Sequence, residues 1–83
     1  MARHERLFDA ILDGRSDANI DFDELCALLI HLGFARRVRG SHHMFTLSGV
    51  EELINLQRSG SAAKSYQVRQ VRRIIRRYNL ELP

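Results

Sequence analysis

The sequence predicts an α+β domain of order α-α-β-β-β-α, in which helices cover one face of a three-stranded antiparallel sheet. Apolar residues recur at helical spacing as far as Leu32, alternate with polar ones after Gly33, and return to helical spacing from Tyr66. The pairs Gly40-Ser41 and Ser48-Gly49 break the alternating stretch into strand-length pieces. A chain of 83 residues, 45 % hydrophobic and with one proline, suits one small core in a single domain.

The first predicted helix, Glu5–Asp13, carries Leu7, Phe8, Ile11 and Leu12 on one stripe and stops at Gly14. A polar connection, Arg15–Asn19, leads to a complete helix start. Asp21 can cap, Glu24 can return a bond to the cap residue, and Ile20 can staple onto Leu25. The second helix runs to Leu32 with Phe22, Leu25, Leu29 and Leu32 inward. The first strand, from Phe34 to Arg39, ends at the Gly40-Ser41 turn, and the second covers His42–Leu47. The third covers Val50–Gln57. Residues 58–65, RSGSAAKS, read as a polar loop. The last helix, Tyr66–Asn79, sets Val68, Val71, Ile74, Ile75 and Tyr78 on one face and Arg69, Arg72, Arg73, Arg76 and Arg77 on the other.

Charge is unevenly placed. Residues 1–33 carry a net −4, residues 34–83 a net +7, and ten of the latter are arginine or lysine. An arginine-rich half suits phosphate, because the guanidinium fork donates in parallel to pairs of oxygens. Five like charges on one helix face forgo the i,i+4 ion pairs of an ordinary wet face, and a polyanionic partner explains them better than solubility does. The longest apolar run, Leu25–Ile30, is too short to span a bilayer, and the N-terminus lacks the apolar centre of a secretory signal. A soluble, cytoplasmic protein with no membrane association is expected. The one cysteine, Cys26, sits among leucines and reads as a buried thiol.

The stretch RGSHHMF, residues 39–45, carries the candidate chemistry. It resembles the start of an affinity tag, yet it lies within a patterned segment between Phe34 and Phe45 and is read as native. Successive strand side chains point to opposite faces, so His42 and His43 cannot readily share a metal ion. His4 and His31 fall on separate predicted helices without ligand spacing, and neither metal nor cofactor is expected. Histidine beside arginine is instead suited to acid–base work on a phosphodiester, the arginines steadying the phosphate charge. Strand parity groups His43 with Phe45 and Leu47, and His42 with Met44 and Thr46. If the aromatic face is the core, His42 looks outward.

These residues match a known pattern. LIHLGF (29–34), RRVRGSHHMF (36–45), INLQ (54–57) and QVRQVRRII (67–75) together resemble the HicA family of toxins, small ribonucleases of type II toxin–antitoxin systems. The resemblance covers residues 22–80, and its most specific element is Gly-Ser-His-His after a Leu-Gly-Phe helix end. It implies a double-stranded-RNA-binding-like fold, metal-independent cleavage of messenger RNA, and a HicB-like antitoxin that covers the active site. It makes His42 the catalytic residue, supported by Gly40, Ser41 and His43. The RNA backbone would be held by Arg36, Arg37, Arg39, Lys64, Arg69, Arg72, Arg73 and Arg76. Residues 1–19 would be a helical extension to a core of residues 20–83. A further departure from the family lies at the end of the third strand. Many members carry a proline and a histidine there, where this chain has Asn55-Leu56-Gln57. The alternatives are a non-catalytic RNA- or DNA-binding module and a protein-interaction domain, each using the same basic face.

Overall fold

A computed structural model describes residues 3–83. Helix α1 (Arg3–Asp13) and a short 3-10 turn (Asp17–Asn19) lead into α2 (Phe22–His31). Strands β1 (Ala35–Arg39), β2 (His42–Leu47) and β3 (Val50–Leu56) follow, then β4 (Arg58–Ser59), β5 (Ala62–Ala63) and α3 (Ser65–Arg77). The first three strands form an antiparallel sheet in the order β1-β2-β3, so the expected α+β class and antiparallel sheet are present.

Local chemistry explains the boundaries. The Asp21 carboxylate caps α2 by accepting from the Glu24 backbone N–H at 3.0 Å. The return bond from the Glu24 side chain is not formed. At the β1–β2 turn Gly40 has φ +57° and is followed by Ser41 outside the left-handed region. A two-residue hairpin with positive φ only at its first position favours glycine there.

One core holds the parts together. The inward residues of the sheet, Phe45, Ile54 and Leu56, meet Phe22, Leu25, Leu28 and Leu29 of α2 and Val68, Val71, Ile74 and Ile75 of α3. Ile11 of α1 is fully buried in the same cluster, so the N-terminal segment is built into the core. The opposite face of the sheet, bearing Arg37, Arg39, His42, Thr46, Leu53 and Asn55, is left exposed.

The two edges of that sheet differ. Helix α3 with its C-cap residue Tyr78 lies along β3 and takes two backbone N–H groups, one in the strand and one just past its end. Glu51 donates to Tyr78 Oη at 3.3 Å and Gln57 to Gln67 Oε1 at 3.2 Å. Tyr78 in turn donates to the Glu52 carboxylate, which also pairs with Arg77. No side chain among the described residues reaches the backbone of β1, whose five residues are all exposed.

The structure corrects two expectations. Residues 58–65 are not a plain loop, since β4 and β5 pair as a small hairpin. Its outer strand is pinned to the entry of α2, with Phe22 donating to Ser61 and Ala63 to Ile20. Alanines and serines carry no apolar alternation, which hid these short strands. Nor is the basic side of α3 a row of like charges facing water. Arg72 is turned inward, Arg76 donates to the Leu12 carbonyl at 2.8 Å, and Arg77 pairs with Glu52. The acids and carbonyls that balance the helix come from elsewhere in the chain, which helix periodicity cannot register.

Candidate functional site

The register places His42 at the turn end of β2, opposite Arg39 on one side and diagonal on the other to Asn55, which pairs with Met44. Its side chain is exposed on the open face of the sheet. The inward positions of β2 are taken by His43, Phe45 and Leu47, so the two histidines point to opposite faces, as strand parity requires.

Three polar side chains surround the imidazole. Nδ1 of His42 lies 3.2 Å from Asn55 Oδ1, and Nε2 lies 3.5 Å from the Gln57 amide nitrogen. The same amide donates to Ser41 Oγ at 3.3 Å. Asn55 on β3 and Gln57 just past its end are two residues apart, and both side chains reach His42. The resemblance singled out this strand end for a missing histidine, and the geometry fills the position with two carboxamides.

Beside this group lies a groove lined by Ala35, Arg36, Arg37, Arg39, Met44, Thr46 and Leu53. Arginines, a thioether and an aliphatic side chain on one open surface offer charge to phosphates and apolar area to bases. Arg37 and Arg39 share the His42 face by register. Arg36 belongs to the opposite parity and reaches towards Cys26. Burial pushes the Cys26 thiol above its ordinary range, and the nearby Arg36 offsets only part of that effect. The thiol is 2 % exposed and protonated at neutral pH.

His43 packs against the core. Its ring meets Phe22 edge-on with centroids 5.0 Å apart, and its Nδ1 is buried without a hydrogen-bond partner among the described residues. The Arg58 guanidinium covers the same phenyl ring at 4.5 Å and pairs with Asp23. Gly40 and Ser41 form the turn that delivers His42 to its place.

The remaining cations are spread over other surfaces. Lys64 is the N-cap residue of α3 and half-buried. Arg69 and Arg73 are exposed and make no ion pair among the described residues. Arg72 departs from the expectation of a solvent-facing cation. Its guanidinium grips both oxygens of Asp17 at 2.9 and 3.0 Å and donates to the Ile11 carbonyl at 3.0 Å, with its side chain 19 % exposed. An arginine whose donors are committed to an internal carboxylate and a carbonyl ties α3 to the N-terminal segment. The contacts of Arg72, Arg76 and Arg77 run to α1, the 3-10 turn and β3, and none reaches the groove beside His42.

His4 and His31, far apart in sequence, stack with ring centroids 4.4 Å apart and planes 20° from parallel. Nothing in their sequence spacing signals this, since only the packing of α1 on α2 brings them together. No group of three or more histidine, cysteine, aspartate or glutamate side chains among the described residues is placed to hold a metal ion. No helix among them is long and apolar enough to cross a membrane. Comparisons with protein-family models, with curated proteins and with solved structures find no match to this chain.

Proposed function

We propose that the protein is a metal-independent endoribonuclease of the toxin class, acting on messenger RNA with a double-stranded-RNA-binding-like core and held in check by a HicB-like antitoxin. The observation that carries this reading is His42, exposed on an arginine-lined sheet face with one ring nitrogen bonded to Asn55. The other nitrogen is left beside the open surface. In the reaction Nε2 takes the proton of a ribose 2′-hydroxyl, and the 2′-oxygen attacks the adjacent phosphorus. A new P–O bond closes a 2′,3′-cyclic phosphate as the bond to the 5′-oxygen breaks, the departing oxygen takes a proton from water, and the hydroxide left behind takes the proton held on Nε2. Arg37 and Arg39 balance charge on the phosphate, and Met44 and Leu53 give the flanking bases an apolar floor. The antitoxin would cover this same face, and the protein would act in the cytoplasm.

The direct test is incubation of the purified protein with single-stranded RNA in the presence of a chelator. Fragments ending in 2′,3′-cyclic phosphate are the expected product, and RNA that stays intact would overturn the enzymatic reading. Binding is tested separately by salt titration. Replacing Arg37 and Arg39 together by alanine should flatten the dependence of log affinity on log salt by about one to two units, since each phosphate contact contributes a little under one. An unchanged slope would place the RNA surface elsewhere.

A second reading has one observation in its favour. The side chains bonded to His42 are neutral amides, so the site lacks a second titrating group, and a module that binds RNA without cutting it would need none. The cyclic-phosphate assay separates the two.

A further inference from the structure

We infer that Asn55 is a positioning residue that holds His42 in the Nδ1–H tautomer, leaving the Nε2 lone pair free to accept at the open face. The inference deepens the reading of His42 as a general base and rests on it for its catalytic consequence, though not for the tautomer itself. Asn55 stands opposite Met44 on β3, diagonal to His42, and its Oδ1 is 3.2 Å from Nδ1. A carboxamide oxygen only accepts, so the ring nitrogen facing it carries the hydrogen. A neutral imidazole has a single N–H, which leaves Nε2 bare.

Gln57 is consistent with this assignment through an independent contact. Its amide nitrogen lies 3.5 Å from Nε2 and 3.3 Å from Ser41 Oγ, and an NH₂ group has two hydrogens. One serves the serine hydroxyl and the other points towards the bare ring nitrogen. Both contacts require that Nε2 accept and Nδ1 donate. The two amides are two residues apart, Asn55 on β3 and Gln57 just past its end, so the register of β3 on β2 brings both to the ring.

The tautomer decides whether the histidine can act. With the hydrogen on Nε2 the ring would present a donor to the 2′-hydroxyl and could take no proton from it. Asn55 therefore acts through His42 and does not itself touch the reacting atoms. Gln57 covers the lone pair until substrate arrives, and its N–H is then available to a phosphate oxygen.

The experiment is nitrogen-detected NMR of the His42 ring in the intact, uncomplexed protein, at a pH where the ring is neutral. We expect Nδ1 protonated and Nε2 bare. Asn55→Leu should shift the population towards Nε2–H, while Asn55→Asp, which keeps an acceptor, should restore the original pattern. Against a defined RNA oligonucleotide, Asn55→Leu should lower kcat by about 10–100-fold with KM little changed, and Asn55→Asp should recover most of it. Circular dichroism checks that both variants fold. An Nε2–H ring in the unaltered protein, with Asn55 turned to donate into Nδ1, would overturn the inference. So would a tautomer indifferent to Asn55→Leu. If the tautomer is as expected and RNA is nevertheless uncut, the ribonuclease reading fails and the assignment of Asn55 stands.

Discussion

His42→Ala is expected to reduce RNA cleavage by about 10²–10⁴-fold, the usual range for removing a positioned general base. The fold should be unaffected, because the side chain is exposed and, among the described residues, its ring hydrogen-bonds only with Asn55 and Gln57. RNA affinity should stay close to that of the parent, since binding is assigned to the arginines and the apolar floor of the groove. The measurement is a time course of cyclic-phosphate ends at matched protein concentration, with circular dichroism and a binding isotherm on the same sample. Expression of the unaltered chain alone should arrest growth, and the variant should not. A variant that cuts at the parental rate would remove His42 from the chemistry and leave the basic face as a binding surface only.

Arg72→Ala is expected to lower the unfolding free energy by about 3 kcal/mol, in line with breaking a largely buried ion pair and stranding its partner. For a domain of this size that corresponds to a fall in melting temperature of about 12–24 °C. The loss comes from Asp17, which is 16 % exposed and would keep its charge without the guanidinium that grips it. Arg73→Ala, one position on and exposed, should leave stability within about 0.5 kcal/mol of the parent. Removing both partners, as Asp17→Ala with Arg72→Leu, should cost less than Arg72→Ala alone, because no charge is then stranded.

The same pair sets the response to acid. Hydrogen bonds from Arg72 hold the Asp17 carboxyl below the ordinary aspartate range, against an opposing effect of burial. A carboxylate with a lowered folded-state pKa adds stability that is complete above the ordinary value of about 4 and is lost as pH falls towards the lowered one. Denaturant unfolding between pH 6 and about pH 2.5 should therefore show a steep loss in the parent and a shallower one in Asp17→Asn. Equal slopes would shift the acid sensitivity to Glu52, whose carboxyl is lowered chiefly by the Tyr78 hydroxyl.

Much of the architecture was legible because it rests on local signals. Asp21 and Glu24 mark a helix start whose cap bond is present, and parity along HHMFTL separates His42 from His43 without reference to anything distant. What escaped depends on long-range placement. The hairpin at 58–63 exists because the backbone of residues 20–22 pairs with it, and no property of Ser-Gly-Ser-Ala-Ala announces that partner. Arg72 and Asp17 are separated by 55 residues, so a guanidinium that looks wet on a helical projection becomes internal once α1 packs on α3. At the candidate site the histidine was legible and its neighbours were not. Asn55 and Gln57 drew notice only as departures from a family pattern, whereas their bearing on His42 follows from the register of β2 on β3.

The unequal edges of the sheet limit how copies of this protein can join. Growth by edge-to-edge strand addition needs two open edges on every copy, one to receive and one to extend. Here α3 occupies the β3 edge through Tyr78 and Gln67, leaving β1 as the open one. Pairing through β1 closes after two copies and cannot run on into a fibre. In the symmetric antiparallel register about Arg37, that residue would meet its own copy, adding repulsion even to the first step. Edge-to-edge growth of this sheet is thereby opposed by a helix on one side and by arginine on the other.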